Sequence, residues 1–389
     1  MIIKRYLLSQ IGSAITPGKV VVLYGPRQVG KTTLLMELLA TTGKKTKLVN
    51  ADELRYREPL ASQDMRILGD LLGDHELLII DEAQRVENIG LNLKILVDQF
   101  PHAAFIATGS ASFDLANKIS EPLTGRSLTY HMYPVSYSEL TEAFGLFEAR
   151  MDLDRWLIWG GYPEIVSERR TEKREQLLEE LVGSYLYRDL LEMEGVRKPE
   201  IIVQLLRLLA FQIGQEVSQS ELATSLGVNR ATVDRYLDLL EKVFVVFRVG
   251  GFSRNLRKEV TKNARYYFYD NGVRNALIRN FNLLDLRDDV GALWENFLVI
   301  ERKKANAEHG RFANSYFWRT YDQKEIDLIE ERKGQLFGYE FKRKGKMRNA
   351  TQKEFIKTYP NAELKTITRE NFEGFLGIER PAGRKHKKD

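Results

Sequence analysis

The stretch Leu23-Tyr24-Gly25-Pro26-Arg27-Gln28-Val29-Gly30-Lys31-Thr32-Thr33 constrains this chain more than any other. Residues 25–32 fit G-x-x-x-x-G-K-[ST], the pattern of a phosphate-binding loop. Its flanks supply the required context. Residues 20–23 are apolar and mostly β-branched, which predicts a buried strand, and residues 33–40 have the spacing of an amphipathic helix. Gly25 and Gly30 let the backbone close around an anion with its N–H groups inward. The helix N-terminus adds partial positive charge. Pro26, Gln28 and Val29 complete the cradle, Lys31 reaches the outer phosphates, Thr32 offers a hydroxyl to Mg²⁺, and Thr33 opens the helix.

Composition narrows the rest. A chain of 389 residues holds two to four domains, and 43% hydrophobic with 29% charged residues is ordinary for a globular protein. There are no cysteines. Disulfides, thiolate-bound zinc and a cysteine nucleophile are therefore excluded. Five scattered histidines argue against an imidazole metal cluster. No apolar run approaches a membrane span, and residues 1–10 lack a signal-peptide pattern, so the expectation is a cytoplasmic protein with no membrane partner. A net charge of +5 permits a nucleic-acid partner without requiring one.

A second element belongs with the loop. Leu77-Leu78-Ile79-Ile80 predicts a buried parallel strand, followed by Asp81 and Glu82 at the end where such sheets bind ligands. Asp81 suits Mg²⁺, and Glu82 suits orienting and deprotonating an attacking water. Residues 103–108 predict another strand, ending Thr108-Gly109-Ser110. Ser110 is the first choice for a sensor of nucleotide state, with Thr108 its rival. Arg126, next to Gly125 and just before a strand at 127–130, is a candidate γ-phosphate arginine, often supplied by a neighbouring subunit; the alternative is a structural ion pair. Between these elements the pattern predicts a strand at 47–50, a polar loop at 50–60, and helices at 68–72 and 91–100.

These residues, together with Leu123-Thr124-Gly125-Arg126, Gly160-Gly161-Tyr162-Pro163 and Tyr187-Arg188-Asp189-Leu190, resemble the prokaryotic AAA-family ATPases that carry a C-terminal domain of unknown function. The resemblance spans nearly the whole chain. It implies ATP binding by an α/β nucleotide domain. Separately, an Arg126 that acts in trans requires a homo-oligomer.

Helical periodicity at 143–159 and 171–191, broken at Gly160-Gly161, predicts a lid, with Tyr185, Leu186, Leu190 and Leu191 as core. A helix at 200–212 follows. Ser218 before Glu221 reads as a capping box. A short helix, a Gly227-Val228-Asn229 turn, a helix at 230–242 and a strand at 243–248 make a winged helix-turn-helix pattern. In a DNA-binding version Asn229, Arg230, Thr232 and Arg235 face the major groove, and Arg254, Arg257, Lys258 and Lys262 meet phosphates. Asp234 and Asp238 on the same helix oppose DNA, and a packing module is the alternative. A strand at 265–269 and a helix at 273–279 lead to an acidic stretch at 281–290, the best linker candidate.

The last region reads as a helix at 291–303 carrying Glu295, strands at 315–318, 325–329 and 336–342, a helix at 353–359, a strand at 364–367 and a charged tail at 384–389. Glu340 and Lys342 are two apart and share a strand face, and Asp327 lies on a neighbouring strand. Two acids and a lysine suit a Mg²⁺-dependent nuclease. The order of elements is similar to the PD-(D/E)xK restriction-endonuclease-like fold, with Glu295, Asp327, Glu340 and Lys342 at the matched positions. Glu325-Ile326 stand where that motif has a proline. The alternative is a nuclease-like fold used for partner binding, its acids paired with Lys324 and Arg343.

The fold class expected is α/β: a parallel-sheet P-loop domain (1–142), a helical lid (143–212), a winged helix (213–280) and a nuclease-like α/β domain (281–389). The function expected is ATP binding and hydrolysis coupled to DNA binding or processing. The alternative is a nucleotide-dependent switch with an inactive nuclease-like domain.

Overall fold

The computed structural model describes residues 3–110, 123–186, 198–253, 264–320, 323–345 and 349–378. Helix α1 (Leu7–Ala14) precedes strand β1 (Val20–Tyr24), and helix α2 (Lys31–Thr41) follows the glycine-bearing loop. Strands β2 (Thr46–Asn50), β3 (Leu77–Asp81), β4 (Ala104–Gly109) and β5 (Ser127–His131) complete a five-stranded sheet of order β2-β3-β4-β1-β5. Every pairing in it is parallel. Strands β1, β3 and β4 are buried along their whole length, which is why they read as continuous apolar runs. The register sets Leu23 beside Thr108 and Tyr24 beside Gly109, with Ile80 beside Ala107. The C-terminal ends of β1, β3 and β4 therefore open at one edge, where ligands bind in parallel sheets.

Residues 50–60 are not a loop throughout. Leu54–Leu60 form helix α3, held by the Arg57 guanidinium, which donates to Ala51 O at 3.0 Å, and by fully buried Leu60. Helices α4 (Met65–Leu72) and α5 (Ile89–Gln99) match the expected spans closely. The single helix expected at 143–159 is three pieces, Tyr137–Phe144, Leu146–Met151 and Leu153–Trp159, divided at Gly145 and Asp152. Pro163–Ser167 and Thr171–Glu180 follow, and the latter widens into a π-type turn, Leu181–Leu186. The side chains of Tyr185 and Leu186, all of Tyr187 to Leu191, and the tail lie outside the described residues.

Helices Pro199–Phe211, Gln219–Leu226 and Arg230–Lys242 lead into the second sheet. Its strands are β6 (Glu216–Val217), β7 (Val246–Gly251), β8 (Ala264–Phe268), β9 (Asn314–Arg319), β10 (Glu325–Arg332), β11 (Gln335–Phe341) and β12 (Glu363–Ile367), in the order β12-β11-β10-β9-β7-β8-β6. Strands β9, β10 and β11 are antiparallel neighbours, and β12 returns parallel to β11 after helix Asn349–Thr358. The sheet crosses the expected boundary at 280/281, because β7 pairs with β9 at Gly250–Tyr316 and Gly251–Phe317.

The expected linker, 281–290, is pinned rather than loose. Phe281 stacks on Trp159 with ring centres 4.8 Å apart, and Arg287 donates to Asp289 at 2.8 Å and to Asn275 at 2.9 Å. Helix Val290–Glu308 then runs back against the first sheet's neighbours. Tyr137 N donates to Glu301 at 2.6 Å, and Gln10 Nε2 to Glu308 O at 2.8 Å. One apolar core accordingly extends from Ile3 to Leu376. Among the described residues no helix is long and apolar enough to cross a membrane.

Candidate functional site

At the open edge of the first sheet the loop is shaped by two glycines. A Cβ on Gly25 would sit 2.4 Å from Met132 O, and Gly30 takes a φ of +95° as it caps α2. Lys31, 6% exposed, donates through Nζ to Gly25 O at 2.9 Å and Pro26 O at 3.0 Å, so it spans the loop's mouth. Thr32 Oγ1 donates to Asp81 Oδ2 at 2.9 Å, and the Thr108 hydroxyl donates to Asp81 Oδ1. Glu82 adopts a left-handed φ of 54°, which turns its side chain away from the strand line. Its Oε2 accepts from Gln84 Nε2 at 2.5 Å, and the same amide lies 3.1 Å from Ser110 Oγ.

Lys31, Thr32, Asp81, Glu82, Thr108 and Ser110 are thus gathered at one place. The two sensor candidates are held differently: Thr108 is bonded to Asp81, and Ser110 is joined to Glu82 through Gln84. Thr32 and Asp81 form an oxygen pair that fits Mg²⁺ beside phosphate oxygens.

Sequence reasoning missed Arg5. It is buried, and it donates to Glu139 Oε1 at 2.9 Å, to Val29 O at 2.8 Å and to Tyr133 O at 2.5 Å. It ties the loop at Val29 to Tyr133 and Glu139. An isolated arginine near the start of the chain carries no signal of this. Beside the loop lies a cavity of about 240 Å³, whose walls include Ile3, Leu34, Met132 and Pro163, with the carboxylates of Glu37 and Glu164 at its edge. Gly30, Val29 and Thr33 also line it. Pro26 borders a second, smaller cavity. Gln28 is itself left-handed, at φ 61°.

Arg126 is not at this edge. Its carbonyl accepts from Val20 N at 2.9 Å, at the far end of β1, and its Nε lies 2.9 Å from Asp98. The five residues of β1 separate it from the loop by roughly 16 Å at about 3.3 Å per residue.

A second cluster forms at β8, β10, β11 and helix Val290–Glu308. It gathers Glu295, Asp327, Glu340 and Lys342, as the sequence predicts, and adds Arg265, Tyr267 and Glu325. Arg265 Nη2 lies 2.8 Å from Glu325, and Nη1 lies 3.4 Å from Glu295 and 3.9 Å from Asp327. The Tyr267 hydroxyl donates to Glu295 at 2.7 Å, Phe341 N to Asp327 Oδ2 at 2.7 Å, and Lys342 Nζ to Glu340 at 2.7 Å. Burial, reinforced by the charges of Glu295 and Glu340, pushes the Asp327 carboxyl well above the usual range. Burial raises Glu295 too, against the pull of Arg265.

Among the described residues no three acids or imidazoles are placed to hold a metal ion. Of the three acids expected to hold Mg²⁺, Glu295, Asp327 and Glu340, the first two have the Arg265 guanidinium 3.4 and 3.9 Å away. The alternative partners are also different, since Lys324 meets Glu354 and Arg343 meets Asp154.

On the helix pair, the Asn229 side chain caps its own helix by accepting from Thr232 N and Oγ1, both at 2.8 Å. Two of the four expected base-reading residues are thereby engaged with each other. Arg230 reaches Gln219 at 2.7 Å, and Arg235 lies over the Tyr236 ring. Arg254, Arg257, Lys258 and Lys262 lie outside the described residues.

Residues 17–141 match a family model described as an AAA domain, and residues 150–284 and 290–373 match two domains of unknown function, DUF8612 and DUF4143. The chain is 32% identical over 352 residues to uncharacterized proteins of Mycobacterium tuberculosis and Mycobacterium bovis, a match covering 88% of this chain and 74% of each relative. An uncharacterized protein of Haemophilus influenzae is 24% identical, over 81% of this chain and 80% of its own. Among solved structures, AMPPCP-bound DnaA from Aquifex aeolicus overlaps 60% of this chain and 84% of its own, with a TM-score of 0.28 and 17% identity. Pif1 helicase from Candida albicans overlaps 47% and 48%, with a TM-score of 0.28 and 15% identity. Both overlaps are slight. The chain belongs to the same family as the two mycobacterial proteins, and residues 17–141 form its AAA-type nucleotide-binding ATPase domain.

Proposed function

We propose that the protein binds ATP with Mg²⁺ at the Gly25–Thr33 loop and hydrolyses it to ADP and phosphate. The observation that carries this is the bond between Thr32 and Asp81, with Lys31 and Glu82 at the same edge. On binding, Lys31 exchanges its two loop carbonyls for phosphate oxygens, and the loop N–H groups take the rest. The cavity beside α2, with Ile3, Leu34 and Met132 in its wall, suits the base. Thr32 and Asp81 would hold Mg²⁺, which supplies charge neutralisation between the outer phosphates. Glu82 orients the attacking water and accepts its proton, and Gln84 restrains that carboxylate until the γ-phosphate arrives. Ser110 reports the arrival through Gln84. Arg126 lies at the opposite end of β1 from its own loop and pairs with Asp98, so a γ-phosphate role for it requires a second copy of the chain and a homo-oligomer.

The output is a change in the second sheet, which is continuous from the helix pair to β12. The helix pair with β6, β7 and β8 supports a winged helix-turn-helix reading, and the β9–β12 arrangement supports a restriction-endonuclease-like one. Arg265 among the acids favours a nucleotide-dependent switch over a cleaving enzyme. ATP turnover with and without duplex DNA, followed by a gel for cleavage, tests this. Turnover lost in Lys31→Ala is expected. No measurable affinity for ATP, unchanged by that substitution, overturns the reading.

A further inference from the structure

We infer that Arg265 is a built-in counter-ion that keeps divalent metal out of the Glu295–Asp327–Glu340 cluster, so that these carboxylates lock β8 to the C-terminal strands instead of supporting metal-dependent cleavage. This goes beyond ATP hydrolysis and rests on a different part of the molecule.

Three observations carry it. First, Arg265 is committed. It is 3% exposed, and its guanidinium lies 4.6 Å from the centre of the Phe317 ring on β9, while its nitrogens reach Glu325, Glu295 and Asp327. A buried cation is tolerated only when paired, and removing one partner is strongly destabilising. Second, one oxygen of each of these three carboxylates is already engaged. Glu295 Oε1 is shared by Arg265 and Tyr267, Asp327 Oδ2 accepts from Phe341 N, and Glu340 Oε1 is held by Lys342. Mg²⁺ requires near-octahedral oxygens at about 2.0–2.1 Å, which leaves no room for a guanidinium between them. Third, backbone pairing fixes where Arg265 comes from. Its strand β8 pairs with β7, and β7 pairs with β9, so the Arg265 backbone is anchored in the middle of the sheet, beside the strands that carry the acids.

Charge makes the inference testable. Glu295, Glu325, Asp327 and Glu340 face Arg265 and Lys342, four carboxylates against two cations. Glu340 Oε2 is buried without a hydrogen-bond partner. Replacing Arg265 by a neutral residue of similar size raises the negative surplus and vacates the centre. The cluster then takes a divalent ion.

The experiment is Mn²⁺ titration of the full chain without nucleotide, read from the loss of the free-ion electron paramagnetic resonance signal. Wild type and Asp327→Asn should bind Mn²⁺ alike. Arg265→Gln should gain about one equivalent, and Arg265→Gln with Asp327→Asn should lose it again. Arg265→Lys, which keeps the charge, should gain none. Two results overturn the inference: Mn²⁺ binding by wild type that Asp327→Asn or Glu340→Gln removes, or a folded Arg265→Gln chain with no gain. If Arg265→Gln does not fold, the wild-type comparison with Asp327→Asn and Glu340→Gln still decides. ATP turnover in Lys31→Ala is scored separately, so failure of the ATPase reading is distinguishable.

Discussion

Arg5 and Glu139 form a buried ion pair, Nε to Oε1 at 2.9 Å, between residues 134 positions apart in the chain. Glu139 is also the N3 residue of a capping box, its carboxylate accepting from Ser136 N at 2.9 Å. The same guanidinium holds Val29 O, so one interaction ties the start of the chain and helix Tyr137–Phe144 to the phosphate loop.

Arg5→Ala should therefore destabilise the protein by about 3–5 kcal/mol, because it leaves the buried Glu139 carboxylate without its counter-charge, held only by the backbone N–H groups of Ser136 and Tyr6. It should also weaken ATP binding, since the loop loses its rear support. Urea unfolding and nucleotide titration check both. Arg5→Ala combined with Glu139→Gln should be less damaging than the sum of the singles, as shared partners are not additive.

Glu82→Gln should keep ATP affinity and lose turnover by about 10²–10⁴-fold, the usual contribution of a general base. Steady-state turnover and equilibrium binding, measured side by side, separate the two effects. Equal turnover in Glu82→Gln would remove Glu82 from the mechanism.

Arg126→Ala should abolish hydrolysis while leaving ATP binding nearly intact. Because Arg126 lies at the opposite end of β1 from its own loop, mixing inactive Arg126→Ala with inactive Glu82→Gln should restore activity. A mixed interface pairs an intact loop with an intact arginine when the Arg126→Ala chain supplies the loop and the Glu82→Gln chain the arginine. No recovery in the mixture, with oligomers present, argues that Arg126 serves only its ion pair with Asp98.

Asp289 sets an acid limit. Burial alone would raise its pKa, but hydrogen bonds and charge from Arg287 and Arg274 outweigh that and hold it down to about 2. A depressed carboxylate contributes stability that is complete above its unfolded pKa, near 3.9, and is lost as pH falls through the folded value. About 1–2 kcal/mol should therefore disappear between roughly pH 4 and pH 2, after allowance for partial exposure. Asp289→Asn should flatten that part of the stability curve, as followed by chemical denaturation at each pH.

The nucleotide site was legible because its parts are local. A cradle needs glycines, a lysine and a hydroxyl at fixed short spacing, and the acids Asp81 and Glu82 end an apolar run that can only be a buried strand. The order of elements from 290 to 367 was legible for the same reason, as was the helix pair, although Asn229 reads as a base contact and is the cap. The failures were also local in origin. The polar residues 50–60 concealed α3, since the anchoring Leu60 is a single apolar residue, and a helical period over 143–159 does not show the breaks at Gly145 and Asp152.

Sequence alone thus determined the fold class of the first domain, its phosphate loop and its acids. Tertiary structure decided what surrounds them. Arg5 reaches its partner across 134 residues, and Arg265 reaches Glu295 and Glu325 across 30 and 60. Charge pairing depends on distance in space, and neither spacing nor periodicity encodes which arginine the sheet will carry into a ring of acids. The pairing of β7 with β9, which makes one sheet of two expected domains, is likewise a backbone contact that no side-chain pattern announces.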